Sequence, residues 1–258
     1  MRPAQDGRLA QLAEHLVYTE RAGGSNPSPP TSLRRGRVRA ALALAMTRAA
    51  ASTAAAEGYG GSMNFRIVAL ESRDCGKRCP YVIVADGVIE TETPQAFVDF
   101  LKSGGANTNL RRIIFFNSRG GNVVASMVFG HILRDLKVAG VVGRFETGRG
   151  DSGPYVGECL SACVYALMGA VRRVAPDGSE VGLHRMSIIE NESGGWLGPS
   201  RETRSFADPP MIAALKRYAR RMGVNPALVR MAESLPPDTV HMLSRDEMRR
   251  FSLATGQF

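Results

Sequence analysis

Long apolar runs are missing from this sequence. No stretch of its 258 residues reaches the roughly 18 apolar residues that a membrane-spanning helix needs. A basic stripe interleaved with aromatic residues is also missing, although the formal net charge is +9. Residues 1–62 hold 8 Lys+Arg and 4 Asp+Glu, so nearly half of that charge lies there. These absences exclude a membrane span and argue against nucleic-acid binding.

Cysteine is scarce, with four residues that form two C-x3-C pairs, Cys75 with Cys79 and Cys159 with Cys163. The spacing lies within the range used by zinc sites. However, neither pair lies on an evident zinc knuckle, and about 80 residues separate the pairs. Disulfides are favoured if the protein is exported, with free thiols as the alternative. We expect no metal site.

The first thirty residues have no hydrophobic period and resemble a translated RNA gene. The stretch from Gly7 to Thr31 is 25 codons long and can be back-translated into the D arm, a valine anticodon loop and the T arm of a tRNA, in that order. A disordered tail rich in proline and serine is the alternative interpretation. Under either one, residues 1–32 are excluded from the fold.

Residues 33–62 resemble a secretory signal peptide. The segment has a basic front, an Ala/Leu-rich middle and a small-residue stretch at Ala54–Ala56 that suits cleavage. This pattern predicts a periplasmic or secreted protein. The alternative is an Ala-rich linker in a cytoplasmic protein whose synthesis starts at Met46 or Met63.

From Met63 to Phe258, β-branched runs alternate with amphipathic segments, which predicts one α/β domain with a mainly parallel sheet and flanking helices. Residues 144–157 are a Gly-rich stretch that leads into the serine motif, and residues 187–208 are predicted as a polar loop that carries the only tryptophan, Trp196. Strands are predicted at 65–70, 81–89, 111–116, 138–143, 171–175, 180–186 and 239–243. Helices are predicted at 93–101, 122–136, from 161, near 209–222, near 225–234 and after Ser244, which forms a capping box with Glu247.

Ser161 is the candidate nucleophile. It opens a small, apolar helix after a short strand, and the free backbone N–H groups at such a helix start can stabilise an oxyanion. A serine needs a base to be nucleophilic at neutral pH, and His184 follows by 23 residues at the end of a strand. The alternatives are an ordinary N-cap serine and a half-buried strand histidine. Cys163 is a less favoured nucleophile, because no base is specific to it.

A second anion-binding loop is predicted at Asn117-Ser118-Arg119-Gly120-Gly121, directly after a buried strand. This loop, the serine motif Gly157…Ser161-Ala162 and the motif Gly182-Leu183-His184 occur in an order that resembles the Clp protease proteolytic-subunit superfamily, which has the Clp/crotonase fold. The Cys-x-Ser-Ala-Cys signature is similar to that of its predicted periplasmic bacterial branch. The resemblance covers roughly residues 82–256.

The resemblance implies Ser161 as nucleophile and His184 as general base. The backbone N–H groups of Ala162 and of Gly120 or Gly121 would form the oxyanion hole.

Three departures from the family pattern stand out. Arg119 occupies the position where the family usually has proline. The orienting aspartate is expected just before the last strand, where Asp238 lies about two residues early and Glu233 is the alternative. No docking surface for a regulatory ATPase is evident.

The sequence therefore predicts a Clp-like serine hydrolase, a peptidase or esterase with a Ser161-His184-Asp238 site and no cofactor. A peptide or small acyl substrate and a homo-oligomer are expected. The alternative is a catalytically weak or inactive protein of the same fold, in which segments 144–157 and 187–208 hold a peptide or acyl group. An acyl-CoA enzyme of the crotonase type is disfavoured, because it would not need Ser161 and His184 as a pair.

Overall fold

The computed structural model describes residues 61–70, 79–104, 109–146, 153–192, 201–236 and 238–256. The predicted RNA-gene segment, the predicted signal peptide as far as residue 60, Cys75 and Trp196 lie outside these ranges. Within them, no helix is both long enough and apolar enough to cross a membrane.

Strands and helices alternate along the described chain. The strands are β1 (Asn64–Ala69), β2 (Tyr81–Asp86), β3 (Leu110–Asn117), β4 (Ala139–Val142), β5 (Arg144–Glu146), β6 (Gly153–Tyr155), β7 (Glu158–Leu160), β8 (Arg172–Val174), β9 (Glu180–Leu183), β10 (Ser187–Glu192), β11 (Arg201–Phe206) and β12 (His241–Met242). The helices are α1 (Thr93–Gly104), α2 (Val123–Asp135), α3 (Ala162–Gly169), α4 (Pro209–Arg221), α5 (Ala227–Glu233) and α6 (Arg245–Arg250).

The main sheet has five strands in the order β1-β2-β3-β4-β8. Strands β2, β3, β4 and β8 are parallel, and β1 pairs antiparallel with β2. Strand β2 shows why its sequence is apolar throughout: Ile83 and Ala85 belong to the large core under the helices, whereas Val82 and Val84 belong to a smaller cluster on the opposite face. Both faces of this strand are therefore buried, as expected for a parallel strand.

A second sheet of three strands, in the order β12-β9-β7, carries the residues of interest. Strand β7 is parallel to β9, and β12 is antiparallel to it. The two sheets meet where Ser118, just after β3, bridges Cys159 of β7. The segments that follow β3, β7 and β9 are thereby brought to one edge.

Helix α3 lies in the centre of the core, and all eight of its residues are buried. Its last residue, Gly169, packs so closely on α2 that an added Cβ would lie 2.1 Å from the carbonyl oxygen of Gly130. Two glycines thus allow the backbones of α2 and α3 to touch, and α3 is fixed firmly behind Ser161.

The predicted fold class, a mainly parallel α/β sheet with flanking helices, is confirmed. The Ser244–Glu247 capping box is also confirmed, since both of its hydrogen bonds are present at the start of α6. The predicted loop at 187–208 is wrong in part, because it contains the β10–β11 pair, whose backbone groups form an antiparallel ladder. The Gly-rich segment 144–157 contains the antiparallel β5–β6 pair.

Candidate active site

Ser161 occupies a sharp turn between β7 and α3. Its backbone has φ 53° and ψ −122°, and its side chain makes no capping hydrogen bond to α3. A positive φ at a non-glycine residue costs about 1–3 kcal/mol, so the surrounding structure must hold it. The ordinary N-cap interpretation of Ser161 is therefore wrong, because an N-cap serine has an extended backbone and bonds to the helix N–H groups.

Backbone hydrogen bonds hold this turn on both sides. The Ser161 N–H donates to the Gly182 carbonyl at 2.8 Å, and the Leu160 N–H donates to the Ser118 carbonyl at 2.9 Å. The Ser161 carbonyl accepts from the Val164 N–H at 3.1 Å. The serine side chain therefore lies between the loop after β3 and the end of β9.

The two-glycine loop packs directly on the serine turn. Gly120 and Gly121 have φ values of 105° and 131°, which side-chain-bearing residues rarely adopt. A Cβ added to Gly120 would lie 2.8 Å from both the Ala162 nitrogen and the Ser161 Cβ. A Cβ added to Gly121 would lie 2.1 Å from the Ile89 carbonyl oxygen. Glycine is therefore required at both positions by close approach as well as by conformation.

The two candidate oxyanion donors at this loop are not equivalent. The Gly120 N–H donates to the buried Ser118 hydroxyl at 3.1 Å. The hydrogen bonds between this loop and Ile89 do not involve the Gly121 N–H. The Ile89 N–H donates to the Gly120 carbonyl, and the Ile89 carbonyl accepts from the Asn122 N–H. Among the described residues, no hydrogen bond is found from the N–H of Gly121 or from that of Ala162. These two groups remain available to a ligand beside Ser161.

Buried polar side chains anchor the loop. Asn117 is 1% exposed, and its amide donates to Asp86 at 3.1 Å while its side-chain oxygen accepts from the Glu158 N–H at 3.1 Å. At the surface, Arg119 forms an ion pair with Glu158 at 3.0 Å. Where the resembled family usually has proline, this chain thus ties the loop to β7 through an arginine.

His184 directly follows β9. Leu160 pairs with Gly182 across β7 and β9, so Ser161 and His184 emerge at the same sheet edge. The imidazole Nδ1 lies 2.7 Å from the Arg185 carbonyl oxygen. Because a carbonyl only accepts, this contact places a proton on Nδ1, and in the neutral imidazole Nε2 is then the acceptor. Within the described ranges, no hydrogen bond joins His184 to Ser161.

The two candidate orienting carboxylates have different surroundings. Asp238 is paired with Arg204 at 2.5 Å, and its side chain is 87% exposed. Glu233, at the end of α5, is half-buried and accepts from the Met186 N–H at 3.3 Å. Burial raises the pKa of Glu233, while the Met186 N–H and the charges of Arg185 and His184 act to lower it. Glu233 therefore interacts electrostatically with His184, whereas the Asp238 carboxylate is exposed and paired with Arg204.

Cys159 and Cys163 form a disulfide on either side of Ser161, and both residues are 0% exposed. The zinc and free-thiol interpretations are wrong for this pair, and Cys163 has no thiol to act as a nucleophile. Cys79 is also disulfide-bonded. In the described part of the chain, no group of three or more His, Cys, Asp or Glu side chains could hold a metal ion.

Two site features were missed by the sequence interpretation. One is the positive φ of Ser161, which no local residue pattern signals. The other is the Nδ1 contact of His184 with a neighbouring carbonyl, which depends on how the chain turns after β9. The paired glycines were predicted as an anion-binding loop, and their close approach to the serine turn is a finding of the structure.

The chain was compared with protein families, curated proteins and solved structures. No family model matches the chain, and no curated protein matches it. Among solved structures, it is similar to a 1510-N membrane-bound stomatin-specific protease in a serine-to-alanine mutant form, with 19% identity and a TM-score of 0.42 over 67% of this chain and 75% of the other. It is also similar to a lysine-to-alanine mutant of that protease in complex with a substrate peptide, with 18% identity and a TM-score of 0.43 over 67% of this chain and 71% of the other. These likenesses concern the arrangement of the backbone and assign no activity to this chain.

Proposed function

We propose that the protein is a serine hydrolase that cleaves a peptide or ester carbonyl with Ser161 as nucleophile. The observation that carries this proposal is the turn at Ser161, where a non-glycine residue is held at φ 53° and its hydroxyl is left uncapped. A sharp strand-to-helix turn of this kind presents a serine hydroxyl outward while keeping backbone N–H groups beside it.

In the proposed mechanism, the Ser161 oxygen attacks the carbonyl carbon and its proton passes to Nε2 of His184. The N–H groups of Gly121 and Ala162 stabilise the negative charge that forms on the carbonyl oxygen. As the intermediate collapses, His184 returns the proton to the leaving amine or alcohol and an acyl-serine remains. Water then attacks the acyl-serine with His184 again as base, which releases the acid and restores Ser161.

The orienting role is assigned to the Arg185 carbonyl with Glu233 behind it, in place of Asp238. The carbonyl accepts from His184 Nδ1, and Glu233 holds the same segment through the Met186 N–H. A Ser-His pair oriented by a carbonyl lacks the negative charge that stabilises imidazolium in a full triad. We therefore expect slow turnover.

The proposal is tested by measuring the rate of covalent labelling with a fluorophosphonate probe. Ser161→Ala removes the attacked oxygen, so labelling should be lost. His184→Ala should slow labelling by about 10²–10⁴-fold, the usual contribution of a general base. Glu233→Gln should slow it less than His184→Ala, and Asp238→Asn should leave it within about 2-fold, because Asp238 faces Arg204 and water.

A binding protein that lacks turnover is the second candidate. The specific observation in its favour is that no hydrogen bond links Ser161 to His184 in the described structure. This candidate predicts saturable binding of peptides without any probe reaction between about pH 6 and pH 9, the range in which a histidine base becomes neutral. That result would refute the hydrolase proposal and leave the fold unchanged.

We also propose that the protein functions in an oxidising compartment, the periplasm or the exterior of the cell. The buried Cys159–Cys163 disulfide supports this, since disulfides form and persist where reducing systems are absent. Thiol titration of denatured protein isolated from its native cells tests it. Four free thiols would overturn the proposal.

A further inference from the structure

We infer that the Cys159–Cys163 disulfide is a positioning element of the proposed active site, which holds Ser161 in its reactive conformation. The inference rests on the proposed hydrolase function. It assigns to the two cysteines an effect on the chemical step that a purely structural disulfide would not have.

The location of the bond carries the first part of the argument. Cys159 is the middle residue of β7, and Cys163 is the second residue of α3. The bond joins them across a Cα–Cα distance of 5.2 Å and encloses only Leu160, Ser161 and Ala162. The strand end and the helix start that set the direction of the serine side chain are thus linked covalently to each other.

The conformation of the turn shows what the bond opposes. Without a restraint, a serine before a helix favours an extended backbone, in which its hydroxyl accepts from the helix N–H groups. Ser161 would then lose its positive φ, and its oxygen would be occupied by α3. The same movement would displace the Ala162 N–H, the second proposed oxyanion donor. A link from Cys159 to Cys163 resists both changes at once.

The short segment that the disulfide closes and the burial of both cysteines distinguish this role from general stabilisation. A disulfide that closes so short a segment removes little entropy from the unfolded chain, compared with one that closes a long loop. Both cysteines are 0% exposed, so a dissolved thiol cannot reach the bond while α3 stays packed. Redox signalling at the folded site is therefore disfavoured, and a permanent local restraint is favoured.

The other cysteine pair of the sequence, Cys75 and Cys79, offers a matched control. Cys79 precedes β2, at the amino ends of the parallel strands, whereas Ser161 lies at the edge formed by their carboxyl ends. The Cys79 carbonyl accepts from the Asn109 side chain, away from the serine turn. Substituting this pair tests the loss of a disulfide without a change at Ser161.

The experiment compares the Cys159→Ala/Cys163→Ala variant with the Cys75→Ala/Cys79→Ala control and the wild type. The maximal rate constant of fluorophosphonate labelling and the probe concentration at half-maximal rate are measured well below each melting temperature. We expect the maximal rate constant to fall by roughly 10–100-fold in the first variant, a usual cost of misplacing reacting groups by about 1 Å. The half-maximal concentration should stay within about 3-fold, and the control should match the wild type.

A second measurement removes the bond without changing Cys159 or Cys163. The Cys75→Ala/Cys79→Ala protein is unfolded and refolded with a small dithiol, which reduces the Cys159–Cys163 disulfide to two cysteine thiols and is itself oxidised to a cyclic disulfide. Unfolding, reoxidation with a low-molecular-weight disulfide and refolding should restore the lost labelling rate.

Each outcome decides the inference. Equal labelling rates with and without the bond would overturn it, as would a protein that folds only with the bond, because the role would then be structural. Absence of labelling in the wild type would instead overturn the hydrolase proposal on which the inference rests.

Discussion

Gly120→Ala tests the geometry of the site most sharply, because the substitution adds one methyl group against the nucleophile turn. The new Cβ would lie 2.7 Å from the Leu160 carbonyl oxygen and 2.8 Å from the Ala162 nitrogen, both of them backbone atoms. Backbone atoms cannot turn away as a side chain does, so either the loop or the turn at Ser161 must move. The φ of 105° adds strain of its own.

The expected magnitudes follow from these contacts. The backbone conformation costs about 1–3 kcal/mol of folding free energy, which corresponds to a fall in melting temperature of roughly 3–10 °C for a domain of this size. Displacement of one oxyanion donor should lower the probe labelling rate by about 10²–10³-fold. The loss of reactivity should therefore far exceed what the loss of stability explains.

Gly223→Ala is the matched control. Gly223 also has a positive φ, 73°, but an added Cβ there would meet nothing within 4 Å. It follows α4 and makes no contact with the serine turn among the described residues. We expect a similar conformational cost in calorimetry and an unchanged labelling rate. If Gly120→Ala and Gly223→Ala label at the same rate, the proposed contact between the glycine loop and Ser161 is refuted.

Three further outcomes are expected. Gly169→Ala should lower the free energy of unfolding by about 2 kcal/mol or more, because its Cβ would overlap the Gly130 carbonyl oxygen; an unchanged denaturation midpoint would contradict the close contact of α2 and α3. Removal of residues 1–60, which lack apolar periodicity, should shift the melting temperature by less than about 2 °C, and a larger fall would show that they pack on the domain. Glu247→Gln should reduce the loss of stability on acidification, because hydrogen bonds from Ser244 lower the pKa of Glu247. The stabilisation from Glu247 is present above the usual glutamate pKa and is lost as the pH falls through the lowered value. An unchanged acid dependence in equilibrium unfolding would contradict this.

The sequence predicted the parts of the fold that depend on local pattern. Apolar runs such as Ile113–Phe116 predict buried strands. Both faces of such a strand are covered, so its residues are apolar throughout. The capping box at Ser244 was also predictable from the sequence, because four adjacent residues determine it. The β10–β11 pair was not predicted, because both segments are largely polar and their alternation of residue types is weak.

The candidate site was predictable in its residue types and not in its geometry. Glycine at 120 and 121 indicated an anion-binding loop, but the turn at Ser161, on which the loop packs, comes some 40 residues later. The choice between Asp238 and Glu233 depends on Arg204, which pairs with the former, and on the Met186 N–H, which binds the latter. Such long-range pairings follow from tertiary structure and leave no mark on the local sequence.

Mass-spectrometric mapping of the fluorophosphonate adduct identifies the nucleophile directly. The folded wild-type protein is labelled near neutral pH and digested, and the modified residue is assigned from fragment masses. We expect a single phosphonylated residue, Ser161, and no modified peptide in Ser161→Ala or in the denatured wild type. An unmodified Ser161 peptide, or a label on Ser118 or any other hydroxyl, would contradict the claim that the turn after β7 presents an activated nucleophile.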